Sequence, residues 1–405
     1  MNPLGWDGYA AQLERARERT GRTESVSWER RDDAVAIFFD FRFLGGSVGT
    51  ATGDLIEQAF LEAQEHDLPV VSVIATGGSR MQEGMASLRQ LQRIAGLCAA
   101  HAASGLPHVS VLCDPTTGGI WASLGASADV VLAIPGAQVG FAGSRVRPAA
   151  DPAYTSEGQF MAGSVDLVVP PGRLNEVLAT LLPLLTGGDL RAAEVPRALG
   201  ATDLPADGWA AVTRARDGAR PRAQAYLDDY FDLRMPISGD RAGGVDPGML
   251  CGVGRHNGRA VAFAAQTGTA NTPAGFRTAT RLIRLAERLG LPVLTLVDTP
   301  GAANDADAER AGLGPSIAEL FGTVAAARVP ITTLVIGEGG SGGALALASP
   351  DQTWITPDGY FSVIAPELAA AILKREKDEV PATADQLKLR PQDLVELGVV
   401  VGIAD

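Results

Sequence analysis

A chain of 405 residues, 46% hydrophobic and 20% charged, can bury two or three domain cores. A net charge of −13 excludes a general nucleic-acid or anionic-membrane surface. The three cysteines, Cys98, Cys113 and Cys251, are too scattered for a Cys-x-x-Cys zinc pair, and apolar runs stop short of the ~18 residues of a membrane span. Few cysteines and no secretory signal fit a cytoplasmic protein.

In chain order, the Arg- and Glu-rich start predicts a helix over Tyr9 to Arg19. Ala34 to Phe39 reads as a strand, and Thr50 to His66 as an amphipathic helix. Leu68 to Ile74 is a buried strand that empties into Gly77-Gly78-Ser79-Arg80. An alanine- and leucine-rich helix follows from Met85 to Ser104. Leu106 to Leu112 is a second strand, ending in Asp114 and then Thr117-Gly118-Gly119. Val130 to Ile134 is a short strand, with Gly140-Phe141-Ala142-Gly143 beyond it.

The second half repeats the order. Val261 to Gln266 is a strand and Phe276 to Leu289 a helix. Leu291 to Val297 is a strand ending in Asp298-Thr299-Pro300-Gly301-Ala302. Ile317 to Ala327 is a helix, and Ile331 to Ile336 runs into Glu338-Gly339-Gly340-Ser341-Gly342-Gly343-Ala344. Leu68-Pro69 matches Leu291-Pro292 at an offset of 223, and Gly118-Gly119 matches Gly342-Gly343 at 224. Landmarks that keep register over such a distance predict an internal duplication. The expected organisation is a first domain over 1–204, a linker over 205–242 and a second domain over 243–405. The linker assignment rests on Arg, Asp, Gly and Pro without core periodicity.

Each half thus offers two glycine turns at strand exits. Glycine lets a carbonyl oxygen approach backbone N–H groups, and two such donors stabilise an oxyanion. The candidate donors are Gly78, Ser79, Gly118 and Gly119 in the first half, and Gly301, Ala302, Gly342, Gly343 and Ala344 in the second. Two such sites suit a reaction with two carbonyl-bearing substrates. Arg80, Arg145 and Gly143 are candidate substrate contacts, although a surface role is equally open to each arginine. Glu338 reads as an orienting hydrogen-bond partner, and Asp298 and Asp114 as turn caps. None of the four histidines stands beside a glycine turn, and no Ser-His-Asp pattern is legible.

Longer stretches carry a family resemblance. Phe41 to Gly49, Gly77 to Glu83, Leu106 to Gly119 and Gly140 to Val146 resemble the β subunit of bacterial acetyl-CoA carboxylase carboxyltransferase. Ala286-Glu287-Arg288, Val297 to Ala302, Val335 to Ala346 and Tyr360 to Glu367 resemble the α subunit. Together they cover about residues 33–175 and 243–405. The chain therefore resembles a β–α fusion in the crotonase superfamily. That resemblance implies an α/β fold of two tandem crotonase-like domains, with twisted sheets and flanking helices. It implies carboxyl transfer from carboxybiotin to the α-carbon of an acyl-CoA or carrier-bound acyl thioester, through an enolate. The first half would take the acyl thioester and the second biotin, carried on a biotin carboxyl carrier protein and charged by a biotin carboxylase. It also implies a homo-oligomer, a dimer or a trimer of dimers. The β subunit's four-cysteine zinc ribbon has no counterpart here, so no structural metal is expected. Decarboxylation of a malonyl-type thioester and a non-catalytic partner subunit are the alternative readings.

Overall fold

Each half places its longest apolar runs in the middle of a parallel sheet, where both faces are covered. The computed structural model describes residues 2–143, 146–147 and 151–405. Its contacts divide the chain into two units, Met1–Thr186 and Gly187–Asp405.

The first unit holds strands β1 (Val26–Arg30), β2 (Val35–Phe39), β3 (Val70–Thr76), β4 (His108–Thr117), β5 (Val130–Ala133), β6 (Val139–Gly140) and β7 (Leu167–Val168). They lie in the order β1-β2-β3-β4-β5-β7, with β6 also paired to β4. Among these strands of the described residues, only the β1–β2 pair is antiparallel. Helix α1 (Tyr9–Thr20) precedes the sheet, and α2 (Thr50–Glu65) and α3 (Met85–Ala103) are the crossovers between parallel strands. On α3 the buried positions are Ser87, Gln90, Ile94, Cys98 and His101, a spacing of three and four that sets one face to the core. Ile56 and Phe60 of α2 meet Ile37, Ile74 and Leu112 of the sheet in that core. Burial pushes the Cys98 thiol up to about 11, which leaves it a packing residue rather than a nucleophile.

The second unit holds β8 (Leu233–Pro236), β9 (Met249–His256), β10 (Arg259–Gln266), β11 (Val293–Thr299), β12 (Ile331–Gly340), β13 (Thr353–Ile355), β14 (Tyr360–Ser362) and β15 (Gly402–Ile403). Their order is β15-β13-β12-β11-β10-β9-β8, with β14 also paired to β12. Apart from the added β8, this is the first unit's topology again. The strand irregularity recurs as well: Thr76 pairs with Thr116 after a register shift, and Thr299 with Gly339 after another. Both equivalences, 299 − 76 and 339 − 116, are offsets of 223. The helix Pro273–Leu289 starts 223 residues after the start of α2.

Residues 205–242 are folded within the second unit. Helices Gly208–Ala215 and Ala223–Tyr230 lie there, followed by β8. Tyr226, Leu227 and Tyr230 pack with Val261, Phe263, Leu294, Leu296, Leu334 and Ile336. Each helix is eight residues long, barely two turns, which is too short to print a readable period.

Candidate active site

The parallel strands β3 and β4 end at two touching turns. Thr76 closes β3; its hydroxyl donates to the Gly46 carbonyl at 2.7 Å and accepts the Gly78 amide at 3.0 Å. Gly78 then takes φ +104, the left-handed region that favours glycine. Its carbonyl accepts from the Val48 amide and the Arg80 amide donates back to Val48, both at 2.9 Å. In a parallel bridge of this kind, the amide of the middle residue, Ser79, faces the other way. No hydrogen bond reaches it among the described residues. Gly118, at φ +76, follows β4. A Cβ on Gly118 would stand 3.1 Å from the Gly78 Cα, so the two turns meet backbone to backbone. The Gly118 amide is spent on Gly140 at 3.1 Å, but the Gly119 amide, at a helix start, has no partner among the described residues. A Cβ on Gly119 would strike Leu91 Cδ1 at 2.2 Å, which ties this turn to α3.

The second unit repeats each contact. Thr299 donates to the Thr269 carbonyl at 2.8 Å and accepts the Gly301 amide at 3.1 Å. Gly301, at φ +136, accepts from the Asn271 amide, and the Ala303 amide donates to Asn271. That turns the Ala302 amide outward, unpartnered among the described residues, as Ser79 is. A Cβ on Gly340 would lie 2.1 Å from the Pro300 carbonyl oxygen, and one on Gly343 would lie 2.5 Å from the Ala302 nitrogen. These turns also touch. The helix Ser341–Leu345 begins here, and the Gly342 amide is unpartnered among the described residues. The Gly343 carbonyl is held by Gln266 Nε2 at 3.1 Å, and Ala344 is buried behind it.

One equivalence differs from the sequence reading. The pairing of Gly118-Gly119 with Gly342-Gly343 at 224 is one residue out. At the structural offset of 223, Gly118 corresponds to Ser341, which adopts φ +57 although it is not glycine. The unpartnered amides of Gly119 and Gly342 are therefore the matching pair. The run of glycines hid this, because any of them could have been the left-handed residue.

The side chains named from sequence fall in different places. Arg80 is not turned outward. It is 1% exposed and bonded to Glu24, Glu83 and Tyr9, so its guanidinium is already engaged. Gly143 lies beside Thr117, with a Cβ there reaching Oγ1 at 3.9 Å. Arg145 lies outside the described residues. Glu338 accepts from Tyr360 at 2.8 Å and Arg216 at 2.9 Å, and Arg216 also donates to Glu367 at 2.5 Å. Burial works against the charge on Arg216, but its bonds to Glu367 and Glu338 outweigh it and hold its pKa above the ordinary value. Burial likewise raises the Tyr360 phenol, and the Glu338 charge adds to the effect.

Asp298 does more than cap a turn. Its fully buried carboxylate takes Arg220 Nη2 at 2.5 Å, Arg222 Nη1 at 3.2 Å and the Glu338 amide at 3.2 Å. Arg216, Arg220 and Arg222 escaped the sequence reading because they sit in the stretch taken for linker. Their spacing of four and two was the available signal. Among the described residues, one group could gather a metal, Glu62, Glu65 and His66, and Glu62 there is paired with Arg30 at 2.7 Å. Also among the described residues, no helix is long and apolar enough to cross a membrane.

A duplicated parallel sheet whose strand exits meet as amide-bearing turns defines a crotonase-like fold. Two solved structures share it. Transcarboxylase 12S superposes with a TM-score of 0.76 at 21% identity, over 92% of this chain and 76% of that one. A single-chain, multi-domain long-chain acyl-CoA carboxylase gives 0.73 at 22%, over 92% and 38%. Two family profiles match: acetyl co-enzyme A carboxylase carboxyltransferase-like at residues 204–405, and carboxyl transferase domain at 31–159. The acetyl-coenzyme A carboxylase carboxyl transferase subunits beta/alpha of Salinispora arenicola are 41% identical over 99% of this chain and 77% of their own length. Those of Clostridium tetani are 33% identical over 99% and 74%. The chain belongs to the acetyl-CoA carboxylase carboxyltransferase family, in its fused β/α form, and is a carboxyltransferase.

Proposed function

We propose that the chain transfers a carboxyl group between biotin and the α-carbon of an acyl-CoA, and that the two amide-bearing turns divide the work. The observation that carries this is the repetition, 223 residues apart, of an unpartnered amide pair: Ser79 with Gly119, and Ala302 with Gly342. The first pair would hold the thioester oxygen as it gains enolate charge. Gly78 and Gly118 supply the left-handed backbone that aims it. Two fixed donors at a developing oxyanion are worth about 3–4 kcal/mol each in related acyl chemistry.

The second pair suits a ureido oxygen, an acceptor that gains negative charge as the carboxyl group leaves. Carboxybiotin, when presented on its carrier protein, supplies the carboxyl group. Gly301, Gly343 and Ala344 keep the second turn in shape, and Gln266 locks the Gly343 carbonyl away from the site. Glu338 orients rather than transfers protons, since Tyr360 and Arg216 already donate to it. The domain limits follow: an acyl-CoA side in the first unit and a biotin side in the second.

Each chain has two such pairs, one for each oxygen that the reaction charges. We also propose a homo-oligomer, a twofold dimer, in which the first-unit turn of one chain works with the second-unit turn of another. Its partners are a biotin carboxyl carrier protein and a biotin carboxylase. Three free thiols and a CoA substrate support a cytoplasmic location.

The test is to supply purified protein with malonyl-CoA and free biotin. Carboxybiotin formation in step with acetyl-CoA supports the proposal. Carbon dioxide released with no dependence on biotin would make the protein a decarboxylase.

A further inference from the structure

The first unit's turn is braced by a buried ion cluster whose charged residues have no charged counterparts at the equivalent positions of the second unit, where a different network forms around Asp298. Arg80 directly follows Ser79. Its guanidinium donates to both carboxylate oxygens of Glu24, to Glu83 Oε1 and the Tyr9 hydroxyl at 3.3 Å, and to the Ser47 carbonyl at 2.8 Å. Glu83 closes the cluster from the other side. It accepts the Tyr9 hydroxyl at 2.6 Å and the Thr50 amide at 2.7 Å. Tyr9, the first residue of α1, is itself 1% exposed.

The duplication provides an internal control. At the offset of 223, Arg80 corresponds to Ala303, Glu83 to Ala306 and Glu24 to Pro247. Yet the Ala303 amide bonds Asn271 at 2.8 Å much as the Arg80 amide bonds Val48 at 2.9 Å. The backbone turn therefore forms without this particular cluster, beside the different network around Asp298. Burying such charges costs several kcal/mol per ion unless every polar atom is satisfied, so the cluster is not an economical way to add stability. What it does is join α1, Glu24, the 47–52 stretch and the 80–83 stretch at the residue beside the unpartnered Ser79 amide. Two further contacts fasten α1 and its lead-in to the same place. Gln82 Nε2 donates to Gln12 Oε1 at 3.1 Å, and Leu4 Cδ1 would lie 2.8 Å from a Cβ on Gly84.

We infer that α1 is a positioning element for carboxyl transfer, with Tyr9 and Arg80 as positioning residues that hold the Ser79 amide in its productive direction. This rests on the reading that the first-unit turn receives the thioester oxygen. Burial, and then the bond to Glu83, push the Tyr9 phenol up to about 12, so it stays a neutral donor at working pH.

The experiment uses the full chain in its assembled form, with malonyl-CoA and free biotin as the reactants. Tyr9→Phe deletes one oxygen and keeps the ring. Removing an oxyanion donor costs roughly 100-fold or more, and misaiming one should cost about tenfold in kcat. KM for free biotin should stay unchanged, because a lost transition-state contact appears in kcat. Backbone amides of residues 77–84 should exchange with deuterium faster in the same variant. Arg80→Lys keeps the charge, loses the planar fork and should fall further. If Arg80→Lys does not fold, Tyr9→Phe carries the test alone. A Tyr9→Phe protein with normal kcat overturns the inference, even if its Tm is lower. Gly118→Ala measured in parallel separates the two readings. Normal turnover in Gly118→Ala would sink the first-unit site itself. A dead Gly118→Ala beside a normal Tyr9→Phe would sink only the role of α1.

Discussion

Gly342 offers the cleanest separation of chemistry from folding. It lies in the short helix Ser341–Leu345, outside the left-handed region, and a Cβ added there meets nothing within 4 Å. Substitution should therefore leave the fold intact. Gly342→Ala should stabilise the helix by about 0.5–1 kcal/mol through lost unfolded-state freedom, and Gly342→Val by less, since a branched side chain gives some of that back. The same substitutions crowd an amide that is proposed to face charge. If Gly342→Val blocks that donor, kcat for transfer to free biotin should fall about 100-fold or more, on the order of 3 kcal/mol of transition-state stabilisation. Gly342→Ala should lie between. Protection of the protein by malonyl-CoA against thermal unfolding should persist, because the thioester is assigned to the other unit. A folded Gly342→Val enzyme with unchanged turnover would remove this turn from the mechanism.

Gly118→Ala should behave differently, losing both stability and turnover. Its φ of +76 costs a side chain about 1–2 kcal/mol, and its Cβ would press on Gly78 at 3.1 Å; thermal unfolding and initial rates read the two effects. Arg220→Met should lower stability by about 3–5 kcal/mol, because it leaves the buried Asp298 carboxylate with the Glu338 amide and the partly exposed Arg222, and the double variant Arg220→Met with Asp298→Leu should recover much of that in a denaturant titration. Mixing Gly118-dead and Gly342-dead chains after dissociation should regain activity, since about half the sites in a mixed dimer would be intact. No recovery in verified mixed dimers would show that each chain builds its site alone.

The sheets were legible because their strands are long apolar runs bounded by proline and glycine. Leu68-Pro69 and Leu291-Pro292 mark the duplication in the sequence itself. Turn positions were legible to within one residue, and the miss at Ser341 has a physical cause. A serine in the left-handed region is unusual, and five neighbouring glycines made it the least expected choice. Arg80 was misplaced for another reason. Its partners Tyr9 and Glu24 lie 71 and 56 residues away, and no local pattern records such a meeting. The arginines at 216, 220 and 222 were lost in a stretch whose two short helices carry no visible period.

These misses share a cause that bears on how the two turns became specialised. Asp298 and Glu338, which anchor the second unit's charged network, correspond at the offset of 223 to Ala75 and Pro115 in the first. Conversely, Arg80 and Glu83 correspond to Ala303 and Ala306. Neither network is inherited from the duplicated core. Each is completed by chain that the repeat does not include: α1 for the first turn, and the stretch around Arg216 to Arg222 for the second. The glycine pairs Gly78/Gly301 and Gly119/Gly342, the threonine that caps each turn and the outward amide are common to both. A core that only presents two donors would bind either carbonyl substrate. The added segments are where the two turns differ in charge, rigidity and surroundings, so discrimination between the thioester and the biotin partner is expected to reside there rather than in the glycines.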